Sequence, residues 1–185
     1  MYRAMLLGAM LSGVAVVPVV MAGSHGDHFH AVLSGFNEIG ALNANTGAIL
    51  SEGHGTLDLQ INRATQTITF TETFSGLGSP VTQSHIHFGK THVAGGVMVF
   101  FCSNLASAPA GTQPCPAGGG TVTGTLTAAN VLAIAGQNVP AGDFDALTDA
   151  LESNTAYVNV HTTGFPAGEI RGQIHRGDGD GDHDD

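Results

Sequence analysis

The chain contains no tryptophan and only 2 tyrosines, and its 5 lysines and arginines face 15 aspartates and glutamates. A formal charge of -10 leaves no basic surface for a phosphate backbone, which argues against nucleic acid as a partner. The same imbalance favours solubility and attracts cations. Cysteine is nearly absent, with Cys102 and Cys115 the sole pair. Two such thiols suit an oxidising compartment and would close a short loop as a disulfide, free thiols being the alternative. There is no phosphate-cradling glycine loop and no dinucleotide fingerprint. Ser84 beside His85 is adjacency along the chain and says nothing of a nucleophilic triad.

Long apolar runs are also missing, apart from one at the N-terminus. Arg3, the run from Met5 to Val20, and the small-residue stretch Val20-Met21-Ala22 predict a secretory signal peptide over residues 1–22. The run is too short to favour a membrane span, so none is expected once the signal is removed, a retained anchor being the alternative. Residues 23–28 read as a flexible histidine-rich leader, 29–175 as one domain, and 176–185 as a disordered acidic tail. The expected location is secreted or periplasmic.

What is abundant is Gly, Thr and Val in short alternating stretches, the profile of a β-protein. Strands are predicted near His30–Leu33, over Gly55–Ile61 and Thr67–Phe74 as a hairpin, and over Gln83–Gly89 and Gly96–Phe101. Further strands are predicted at Thr121–Leu126, Ala156–Thr162 and Glu169–His175. Asn45-Thr46-Gly47-Ala48 offers a turn, and Cys102 to Gly120 reads as a loop. Asp143 to Leu151 is the one helical pattern, with Phe144, Leu147 and Leu151 on one face and acidic residues in the first turn. The predicted fold class is all-β: an antiparallel Greek-key-like sandwich or barrel with one short helix.

Two strings carry chemistry: Ser84-His85-Ile86-His87-Phe88-Gly89, and Tyr157-Val158-Asn159-Val160-His161-Thr162 leading into Gly168-Glu169-Ile170-Arg171-Gly172-Gln173. Residues two apart on a strand share a face, so His85 and His87 project together, and His161 joins them if its strand lies alongside. Three converging imidazoles form a candidate copper or zinc site. The competing reading is that these histidines bond strand-end loops and fix the turns.

Taken in order with Leu33-Ser34-Gly35-Phe36-Asn37-Glu38-Ile39 and Phe74-Ser75-Gly76-Leu77, these strings resemble the CHRD domain, named after chordin and found also in secreted microbial proteins. Gly40-Ala41 stands where that family usually has proline, and the Cys102 to Cys115 stretch reads as a local addition. The resemblance implies an extracellular β-fold. In chordin it implies a growth-factor-binding setting, a partner that nothing in this chain carries over. His85-x-His87-Phe88-Gly89 with a later Val160-His161 is also similar to the copper ligands of copper–zinc superoxide dismutase, another antiparallel barrel. Its bridging histidine and zinc-loop ligands have no counterparts here, so that likeness is analogy.

His92 or His54 is a candidate fourth ligand, and Asn159, Glu169 and Arg171 are candidates to orient the ligands from behind. Arg171 could instead guide a small anion, and the blander reading has Glu169 and Arg171 pinning the last strand. Cleavage after Ala22 would place His25 third, where the free amine, two amide nitrogens and the imidazole suit square-planar Cu(II) or Ni(II). Asp178-Gly179-Asp180-Gly181-Asp182 opens like a calcium loop but lacks the closing glutamate, and Arg176-Gly177-Asp178 matches an adhesion tripeptide by chance. The favoured function is a secreted binding protein holding a metal ion, copper before zinc. A metal-dependent oxidoreductase and a metal-free adhesion or matrix module are the alternatives.

Overall fold

Alternating apolar residues fix the first half of the molecule. In the computed structural model, which describes residues 27–39 and 47–177, buried and exposed positions alternate along β1 (His28–Ser34), β2 (His54–Asn62) and β3 (Thr67–Ser75). The expected signal peptide, His25 and the leader to Gly26, Asn45 and Thr46 of the expected turn, and the tail from Asp178 lie outside the described residues. Phe29, Leu33, Leu57, Leu59, Ile68 and Phe74 point into a common core, as period-two patterning requires.

The remaining strands are β4 (Val81–Phe88), β5 (Gly96–Ser103), β6 (Gly120–Thr127), β7 (Ala156–Thr162), β8 (Ile170–Gln173) and β9 (His175–Arg176). They form one sheet in the order β5-β4-β7-β8-β1-β2-β3-β6, with β9 on β1. Every strand pair is antiparallel. The sheet curls into a nearly closed barrel that leaves β5 and β6 as its two edges. Gln113 spans that seam: its side-chain amide donates 3.2 Å to the Phe101 carbonyl on β5 and 3.1 Å to the Thr123 carbonyl on β6. The Cys102–Cys115 disulfide ties the Gln113 loop to the end of β5.

The single α-helix among the described residues, α1 (Phe144–Glu152), is capped by Asp143, whose carboxylate accepts 2.9 Å from the Ala146 N–H. It buries Phe144, Leu147 and Leu151, the expected face. The final segment differs from the expected single strand. It breaks at Ile174, whose N–H still bonds the Ala156 carbonyl at 2.9 Å: β8 lies between β7 and β1, while β9 pairs with β1 alone.

β7 is buried at all seven positions, unlike the half-buried strands of the first half. Ala156, Val158 and Val160 join the barrel core, while Tyr157, Asn159 and His161 occupy the opposite, outer face. That outer face is sealed by loops rather than by a second sheet.

Candidate metal centre

The outer face of the β4–β7–β8 wall carries the chemistry. β4 and β7 run in a register that sets His85 opposite Asn159, His87 opposite Tyr157 and Gln83 opposite His161. The histidines at i and i+2 on β4 therefore share a face with Tyr157, Asn159 and His161. Their rings meet: His85 and His87 centroids lie 4.5 Å apart, and His85 and His161 4.6 Å. One ligand atom from each of His85, His87 and His161 lies within 4.8 Å of the others. An ion bound at about 2.0–2.1 Å from each nitrogen needs a small further closure of these side chains.

The loops fix the orientation of two of the three rings. His87 Nδ1 donates to the Gly95 carbonyl and His161 Nδ1 to the Pro166 carbonyl, both at 2.8 Å. A carbonyl only accepts, so both Nδ1 atoms carry hydrogen. Burial drives the His87 pKa from 6.5 down to about 4, and it lowers His161 in the same direction. His85 falls well below its usual range through burial first, then through repulsion from His161 and His87. The rings are neutral at pH 7, and Nε2 of His87 and of His161 is a bare lone pair. His85 Nδ1 is buried with no hydrogen-bond partner. His87 and His161 thus each pin a loop with one nitrogen and present the other towards the cluster.

Asn159 stands at the centre of the group. Its Oδ1 lies 3.1 Å from both His87 Nε2 and His161 Nε2, and its Nδ2 donates to Glu38 Oε2 at 3.4 Å. Glu38, buried just past β1, reaches the site from a segment 121 residues earlier in the chain. On the flank, Tyr157 stacks on His87 with centroids 4.6 Å apart and planes 5° from parallel. The Arg171 guanidinium lies 3.3 Å from the Tyr157 ring centroid, a cation–π contact. Arg171 also donates to the Lys90 and Val93 carbonyls at 3.2 and 3.1 Å, so it clamps the loop after β4 over the face.

Glu169 serves a different purpose from orienting an imidazole. Its carboxylate accepts from Ser51 Oγ, the Gly78 N–H and Thr162 Oγ1, each at 2.7 Å, and so ties three segments together. Glu169 and Arg171 each tie loops to the barrel wall by hydrogen bonds and do not bond each other. His92 is exposed beside a cleft of about 310 Å³ shared with His30, Asn37, Arg171, Gln173 and His175. His54 is exposed and bonds Ser75 Oγ at 2.9 Å. Neither belongs to the group of three.

Sequence reasoning missed Glu38 and Tyr157 as parts of the site, although both stand inside the quoted strings. It also missed Glu72, fully buried in the barrel behind β4. Burial raises the Glu72 pKa from 4.5 to about 8, and Ser84 Oγ lies 2.6 Å from its Oε1. A glutamate in the apolar register of Ile68, Phe70 and Phe74 was the available signal.

No curated protein and no solved structure matches the chain significantly. A model of the CHRD domain family matches residues 29–174, which takes in β1 from its second residue, every strand from β2 to β8 and all three histidines. The chain belongs to the CHRD domain family.

Proposed function

We propose that this CHRD domain is an exported binding module that holds one transition-metal ion between His85, His87 and His161, with copper favoured over zinc. The observation that carries the reading is the pair of bare, inward-facing Nε2 lone pairs on His87 and His161, held by Nδ1–H bonds to the Gly95 and Pro166 carbonyls. Metal-binding histidines commonly use such a bond on the distal nitrogen to fix tautomer and orientation. The Cys102–Cys115 disulfide agrees with export to an oxidising compartment.

The burial of His85 and His161, 2% and 6% exposed, supports retention of an ion over turnover of a substrate. A catalytic site keeps one coordination position open. The role is therefore read as binding, with redox chemistry the second reading because His87 is the least buried of the three.

Elemental analysis with copper and zinc titration tests this directly. The intact chain is expected to take up one ion, and a His85→Ala/His87→Ala variant none. His25→Ala should leave that ion in place. No stoichiometric metal, or uptake lost with His25 alone, would return the domain to the metal-free matrix reading.

A further inference from the structure

Three groups that can only accept meet at the centre of this site, with no donor among them. Nε2 of His87 and of His161 is bare, because each ring's hydrogen is committed to a backbone carbonyl. Asn159 Oδ1 faces both nitrogens at 3.1 Å, at hydrogen-bond distance but with no hydrogen to share. The third ring, His85, adds a buried Nδ1 without a partner. Lone pairs at such distances repel unless a cation lies between them.

The amide orientation is not arbitrary. Asn159 Nδ2 points at Glu38 Oε2, 3.4 Å away. Turning the amide over would let Nδ2 donate to the imidazoles, but would put Oδ1 against the Glu38 carboxylate. Glu38 thus holds the oxygen towards the histidines, and it adds a negative charge behind a set of neutral ligands. A buried dication needs such a counter-charge.

We infer that Asn159 Oδ1 is a fourth ligand, completing a three-nitrogen, one-oxygen site specific for a divalent ion, with Glu38 as its positioning residue. The inference rests on the metal-binding reading above and assigns Asn159 to the ion itself rather than to the layer behind it. The donor set contains no thiolate or thioether. Imidazole and amide oxygen suit Zn²⁺ and Cu²⁺, whereas Cu⁺ is selected by sulfur.

The test is competitive titration of the intact chain with Zn²⁺, Cu²⁺ and Cu⁺, compared with Asn159→Ala and Asn159→Asp. Asn159→Ala is expected to weaken Zn²⁺ binding by about 10–100-fold, the range seen when support at a metal site is removed. Asn159→Asp keeps an oxygen and should bind at least as tightly as the Ala variant by about tenfold. The Asn159 side-chain carbonyl ¹³C resonance of the unaltered protein should shift on Zn²⁺ addition, a readout independent of how the variants fold. Asn159→Ala binding Zn²⁺ as tightly as the parent, or an unmoved ¹³C resonance with the ion bound, would overturn the ligand assignment alone. Absence of Zn²⁺ and Cu²⁺ uptake by the parent chain would overturn the three-histidine reading with it.

Discussion

At Gly168 the backbone takes φ +127°, a conformation L side chains rarely adopt. A Cβ at this position would overlap Glu38 Oε2 and lie 2.8 Å from Asn159 Nδ2. The glycine of the Gly168-Glu169-Ile170-Arg171 string is thus required where Glu38 and Asn159 meet. Gly168→Ala is expected to separate that pair and to weaken metal uptake by roughly tenfold or more, read by Zn²⁺ titration; unchanged affinity would show the pair to be dispensable. Glu72 presents a different residue-scale problem. Its folded pKa of about 8 exceeds the unfolded 4.5, so the native state retains a proton that the unfolded chain releases. Stability is therefore fully present below pH 4.5 and declines as pH rises towards 8. Glu72→Gln should remove that slope and raise stability at pH 8 by on the order of 4 kcal/mol, about 10 °C in Tm. At pH 4 the gain should nearly vanish, which calorimetry at the two pH values checks.

Among the elements, β4 and β7 were legible because their chemistry is periodic. His85 and His87 are two apart, Asn159 and His161 are two apart, and strands of that period lay them on one face. Their side-by-side pairing was an expectation that the register of the sheet supplies. Glu38 was not legible as a partner, since nothing local relates it to Asn159 across 121 residues. Nor was the burial of the outer face, which depends on loops around Gly95 and Pro166 folding back over β7. The β8–β9 break was hidden for a similar reason: alternation continues through Ile174 while pairing with β7 ends and pairing with β1 goes on. Arg171 holds this wall closed, so Arg171→Lys, which loses the planar stack on Tyr157, should destabilise by about 1–2 kcal/mol and loosen the loop at Lys90–Val93. Faster amide exchange at Gly95, whose N–H donates to the Tyr157 hydroxyl, would register the change.

At the scale of the whole molecule, a nearly closed barrel with one seam depends on what bridges that seam. Cys102 and Cys115, 13 positions apart, constrain the loop that carries Gln113 across from β5 to β6. Reducing the bond, or Cys102→Ser/Cys115→Ser, should cost roughly 3 kcal/mol by the loop-entropy argument. A Tm lowered by about 6–12 °C would follow for a domain of this size, and a fall under about 2 °C would place the seam's stability elsewhere. A bound ion should act in the opposite sense. A ligand that binds the folded state alone stabilises by about 2.7 kcal/mol at a free concentration one hundred times its Kd.

That linkage supplies the most direct measurement: calorimetric unfolding of the intact chain over a range of free Cu²⁺ and Zn²⁺, beside His87→Ala. The three-histidine account predicts a Tm that climbs with the logarithm of metal concentration in the parent and stays flat in the variant. A flat Tm in the parent, or an equal climb in both, would contradict it.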